Sequence, residues 1–167
     1  RQSFEASISL NPDIIELPEW DEENEHTCIR PTVFNSFSTR RIMRYYMRRI
    51  KGLPLEPFKG DNESIPNLVV SYRKIISLGE NLAVEVLNIP DSEKNIDYSI
   101  ELSLKDLSGN IIKRFNPKNL PANVLADQTF YIPTEELVGN KVIIPSIKVT
   151  GKNIKPQTFE NGLHYIN

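Results

Sequence analysis

A single cysteine, Cys28, in 167 residues excludes an intramolecular disulfide framework and leaves the redox compartment open. Only two histidines are present, His26 and His164, so a Ser-His-Asp or Cys-His hydrolase has little imidazole to draw on. There is no glycine-rich phosphate loop; LSGN and LVGN read as turns. No apolar run approaches the roughly 18 to 20 residues that span a bilayer, and no apolar block follows a basic start, so the chain reads as soluble. An excess of either charge is also missing: the net charge is −2. A nucleic-acid or anionic-membrane role is therefore a local matter, not a property of the whole surface. Because the chain begins with Arg1, it reads as a processed product or a piece of something longer.

What is present divides in two. Residues 1–35 lack sustained periodicity; 7–10 are expected as a short strand, and Asn11-Pro12 and Pro18 interrupt any regular element after it. Asp13, Glu16, Glu19, Asp21, Glu22, Glu23 and Glu25 occur with no lysine or arginine among them, making an acidic arm that carries Trp20. Ser38 or Thr39 then caps a predicted helix over 40–51. Ile42, Met43, Tyr46, Met47 and Ile50 recur at spacings of three and four, and Arg40, Arg44, Arg48 and Lys51 follow the same spacing on another side. Gly52 and Pro54 stop this helix, and a linker over 53–66 with Pro54, Pro57 and Pro66 leads to the strands.

Beyond Ile65 the pattern is that of strands. Tyr98, Ile100, Leu102 and Leu104 alternate with Ser99, Glu101, Ser103 and Lys105, as a half-buried strand requires. The turn DLSGN and the run 111–115 complete a hairpin. Further strands are expected over 68–76, 82–86, 129–132 and 141–149, with Pro145 marking an edge or a bulge in the last. A loop is expected over 120–127, and a single helical turn capped by Thr134. The fold class expected is mainly β: an immunoglobulin-like antiparallel β-sandwich of six to seven strands over 65–167, preceded in 1–64 by the acidic arm, one amphipathic helix and the linker.

The order of LGENLAVEVLNIPD, the hairpin KDLSGNIIKRF, TFYIPTEEL and a final long strand resembles immunoglobulin-like or fibronectin-III-like accessory domains of secreted bacterial proteins. The C-terminal sandwich domains of glycoside hydrolase family 2 enzymes show a similar order, and a basic, aromatic-containing helix precedes such domains there. The resemblance covers residues 66–150 and implies a non-catalytic β-sandwich. Upstream, residues 1–35 match nothing at the end of a catalytic barrel, so the resemblance carries no catalytic residue.

His26 and Cys28 form a His-x-Cys pair, but two ligands without a second pair do not make a zinc site. Acids crowded on a proline-flanked arm meet solvent, where nothing raises a carboxyl pKa for acid catalysis. The chain is accordingly read as having no catalytic residue, no metal and no cofactor. Its binding candidates are Trp20, Arg40, Arg44, Tyr45, Arg48, Lys51 and Tyr131: rings that stack on sugars or fill protein pockets, and cations that meet acids. The leading expectation is an accessory or interaction domain of a secreted or surface multidomain protein, working by protein contact or glycan adhesion outside the cell or on its surface. The alternative is a structural subunit of a coat or surface layer, self-associating through acidic arm and basic helix. A third reading puts nucleic acid or an anionic membrane against the arginine helix.

Overall fold

The computed structural model describes residues 2–17, 29, 37–62, 64–92, 97–140, 142–160 and 164–166. The chain divides into two compact units, Arg1–Leu55 and Glu56–Asn167. The first contains two helices, α1 (Gln2–Ser9) and α2 (Ser38–Ile50). Helix α1 includes part of the segment expected as a strand at 7–10. The correction has a tertiary cause: Phe4 stacks on Tyr46 at 5.0 Å between ring centroids, and the Tyr46 hydroxyl donates to Glu5 Oε1 at 2.9 Å. Phe4 and Glu5 meet Tyr46 only if the segment is coiled, and that outweighs the modest β preference of Ile8.

The second unit is mainly β. Its strands are β1 (Leu68–Ser71), β2 (Ile75–Ile76), β3 (Asn81–Asn88), β4 (Asp97–Lys105), β5 (Ile111–Arg114), β6 (Lys118–Pro121), β7 (Ala126–Pro133), β8 (Val142–Gly151), β9 (Ile154–Glu160) and β10 (His164–Ile166). They form two sheets. One has the order β1-β3-β7; the other runs β2-β10-β8-β4-β5, with β6 also on β4 and β9 also on β8. All pairings are antiparallel except β2 with β10, which is parallel. Among the described residues, ten segments stand where six to seven strands were expected. The excess comes from three lines that each break in two: β1/β2 crosses from one sheet to the other after Ser71, β5/β6 breaks around Pro117, and β9/β10 divides along β8.

Alternation sets which side chains meet between the sheets. Leu82, Val84 and Val86 of β3 and Phe130 and Ile132 of β7 join Tyr98, Ile100, Leu102 and Leu104 of β4 and Ile143, Ile147 and Val149 of β8 in one buried cluster. The hairpin forms as expected: β4 pairs with β5, and Asp106 Oδ1 accepts from the N–H groups of Ser108 and Asn110, both at 2.8 Å. Gly109 closes it at φ +84°, a conformation that strains any residue with a Cβ. Gly109→Ala is expected to cost about 1 kcal/mol, read as a lower urea midpoint with an unchanged slope.

Three expectations are corrected by the pairing. Strand β8 is central, not an edge, although it contains Pro145. Phe115 N–H donates to Leu102 O at 2.9 Å, so the even-numbered residues of β4 bond toward β5. Leu104 therefore faces Pro145 without a ladder bond, and the proline nitrogen points to the opposite side, where β8 changes partner from β9 to β10. The loop or irregular crossover expected at 120–127 narrows to 122–125, where the chain passes from β6 in one sheet to β7 in the other. Thr134 does not cap the 3-10 turn Thr134–Leu137; Pro133 occupies that position. The Thr134 hydroxyl is buried and donates to Glu80 O at 2.8 Å while accepting from Gly79 N–H at 2.9 Å, tying β7 to the turn before β3.

The edge at β7 is guarded. Thr134 N–H donates to Glu80 O, so the odd-numbered residues of β7 turn their backbone groups outward. Lys118 Nζ takes the Thr129 carbonyl at 2.8 Å while lying 4.6 Å over the Phe130 ring, and Pro133 has no N–H to offer. A lysine and a proline on a free edge discourage pairing with another chain.

Candidate functional site

Two surfaces carry the sequence-predicted binding residues, one in each unit. In the first, Arg40, Arg44 and Arg48 follow one another at one-turn spacing along α2, with Lys51 at its C-cap. Arg48 Nε donates to Pro54 O at 2.5 Å, which folds the chain after the helix back on it. Tyr45 is half-buried and meets Tyr46 edge-on at 5.2 Å. Tyr46 is the one buried hydrophobic residue of α2. Met47 and Ile50, two members of the apolar spacing, are 42% and 52% exposed. Trp20, His26, Cys28 and the acidic residues from Glu19 to Glu25 lie outside the described residues.

In the second unit, Phe130 and Tyr131 take opposite sides of β7, as adjacent strand residues must. Phe130 enters the core and Tyr131 is 64% exposed. Tyr131 stands opposite Ala83 of β3, with Thr129 and Pro133 two positions away along its own strand. A methyl opposite an aromatic leaves the ring uncovered from that side, so Tyr131 offers a stacking plane beside the Thr129 hydroxyl. The register that sets Ala83 and Thr129 beside it is encoded in the paired alternation of 82–86 and 129–132, although sequence reading had singled out only the ring.

The titratable groups whose pKa values move in this unit are engaged in the fold. Burial raises Tyr98 strongly, with the Asp91 charge adding to it, so the phenol stays protonated. Its hydroxyl donates to Asn88 Oδ1 at 2.8 Å. Burial also raises Tyr72. The Asn110 side-chain amide and the backbone N–H groups of the turn hold Asp106 below its ordinary value. Lys105 does the same to Glu160, helped by the Ser146 hydroxyl at 3.1 Å. Both carboxyls are depressed, so what they add to stability is present above the unfolded carboxylate pKa and fades as pH falls through the folded values. Their bonds belong to a hairpin turn and to the β4, β8 and β9 surface.

A small depression, open to solvent, is lined by residues that include Asn67, Asn88, Asp91, Ser92, Ala122 and Ile154. Asn88 closes its floor, with its amide group spent on three carbonyls: Pro121 at 3.0 Å, Ala122 at 3.1 Å and Val124 at 2.7 Å. Among the described residues, no three His, Cys, Asp or Glu side chains come together as a metal site. The arrangement provides contact chemistry: an exposed ring on a sheet edge in one unit, and a cationic helix with uncovered apolar side chains in the other.

No protein-family model matches the chain, and no curated protein matches it. Among solved structures, it is similar to a β-glucosidase from Listeria innocua in complex with glucose, at 18% identity and a TM-score of 0.37. A D270A mutant β-glucosidase from the same organism, in complex with laminaribiose, is 19% identical with the same TM-score. Each match covers 60% of this chain, which spans only 16% of the β-glucosidase chain.

Proposed function

We propose that the β unit is an immunoglobulin-like sandwich serving as a non-catalytic accessory module of a secreted or surface multidomain protein, and that it works by glycan adhesion or protein contact through the Tyr131 surface. Strand order supports the fold assignment. Counted as seven lines, β1, β3 and β7 form one sheet and β2, β9/β10, β8, β4 and β5/β6 the other. The first line switches sheets partway along, and the connections cross between sheets as in Greek-key sandwiches.

The observation that carries the functional reading is the exposure of Tyr131 at 64% on an edge strand, opposite the small side chain of Ala83. A buried core partner would explain an aromatic on a strand; Tyr131 has its ring in water instead. Stacking a ring on a sugar face or an apolar protein side chain is worth about 1 kcal/mol, roughly fivefold in affinity. The proposed module is thus a weak binder that gains avidity from whatever else its parent protein carries.

Affinity electrophoresis through a panel of soluble plant and microbial polysaccharides tests this. Retardation by at least one glycan is expected, weakened about fivefold in Tyr131→Ala and largely kept in Tyr131→Phe. If the panel is blank, chemical cross-linking of the protein with its native secretome tests the protein-contact form, with the same variant as control. Partners captured equally well by wild type and Tyr131→Ala would remove this surface from the account.

A further inference from the structure

We propose that α2 is a peripheral docking element for an anionic phospholipid surface. At about 100° per residue, Ile50, Met43, Met47, Arg40, Lys51 and Arg44 follow one another around a single arc of roughly 120°. Lys51 is the C-cap, in the right-handed helical region, and so continues the spiral, whereas Phe37 is the N-cap and stands outside it. Met47 and Ile50 are 42% and 52% exposed and Arg40 and Lys51 are in water, while Met43 and Arg44 are half-buried; Phe37 at the N-cap is 53% exposed. Leu53, just past the cap, is 47% exposed. The packing against α1 is made by Tyr46, outside this arc.

One exposed apolar residue is ordinary, but Met47 and Ile50 exposed together on the arc that carries Arg40 and Lys51 fit a partner with both an apolar and an anionic part. A phospholipid headgroup boundary has that composition. Met47 and Ile50 enter the acyl region, while Arg40 and Lys51 keep their charges at the phosphate level on long flexible stems. Nucleic acid takes the cations equally well but offers the methionine and isoleucine side chains nothing, so the apolar members favour the bilayer. No helix among the described residues is long and apolar enough to cross a membrane, and the contact proposed is in the plane of the surface.

The test is co-sedimentation of the full chain with vesicles of phosphatidylserine and phosphatidylcholine in equal parts, with phosphatidylcholine vesicles as control, at low and high salt. Binding to the anionic vesicles alone is expected, falling as salt rises. Each of Arg40→Ala and Lys51→Ala is expected to weaken it about fivefold. Met47→Asp combined with Ile50→Asp is expected to abolish it, and the milder pair Met47→Gln with Ile50→Thr to reduce it with an unchanged far-UV circular dichroism spectrum. Absence of binding to anionic vesicles overturns the proposal. So does binding indifferent to both Met47/Ile50 pairs, or binding to a DNA oligonucleotide in place of vesicles. None of these outcomes depends on Tyr131.

Discussion

Replacing Asn88 by alanine is expected to destabilise the β unit by about 3 kcal/mol, lowering its melting temperature by roughly 10 °C. Asn88 is 1% exposed, at the end of β3. Its two amide N–H groups are shared among the carbonyls of Pro121, Ala122 and Val124, and its oxygen accepts from the Tyr98 hydroxyl. Alanine would strand the buried Tyr98 hydroxyl and remove both donors from the part-buried carbonyls, and each unsatisfied buried group costs about 1 to 3 kcal/mol. Partial hydration from the adjacent depression keeps the sum below the full count. Tyr98→Phe should cost less, about 1 kcal/mol, because it orphans only the Asn88 oxygen. The two losses should not add: in the double variant, thermal unfolding should show a coupling of at least about 0.5 kcal/mol, the size expected for residues in direct contact.

A loss of similar size, about 3 to 4 kcal/mol in urea denaturation, is expected for Leu102→Ala. Leu102 is fully buried near the middle of β4, paired with Ile147 of β8 and enclosed between the two sheets. Truncation removes apolar contacts and leaves a cavity that two rigid sheets cannot close. Ser99 in the same strand points the other way, so Ser99→Ala should stay within about 0.5 kcal/mol. The contrast tests the phase of the strand, since a one-residue slip would exchange the two results.

Where one side of a strand is wet and the other dry, as in β3 and β4, the period of two is visible in the residues alone, and both strands lie where the alternation puts them. The hairpin at 106–110 was legible for a second reason: Asp106, Gly109 and Asn110 each supply turn chemistry locally. What escaped depends on partners distant in sequence. Helix α1 forms around a Tyr46 that is 41 residues from Glu5. Pro145 is tolerated in the middle of a sheet because of a change of neighbour that no local pattern announces. Gly151 looks like an ordinary strand end, yet a Cβ there would lie 3.0 Å from Tyr98 Cβ and 3.1 Å from the Asp97 carbonyl, so β8 needs a glycine to pass that close to β4.

The candidate surfaces were legible to a similar degree and for similar reasons. One of Phe130 and Tyr131 had to face water, but the residues beside Tyr131 depend on the pairing of β7 with β3. Helical spacing identified the arginine row of α2. It grouped Met47 and Ile50 with Tyr46, and periodicity tells which residues share a side, not whether anything covers it.

The central claim is that the two sheets of the β unit share one core and fold as one body built on β3, β4, β7 and β8. Native-state hydrogen exchange of the full chain measures this directly. The ladder amides of these four strands should form the slowest class and open with one common free energy equal to that of global unfolding, while the amides of α2 exchange at lower cost. If β3 and β7 instead open independently of β4 and β8, or if α2 is as protected as β4, the single-core account is contradicted.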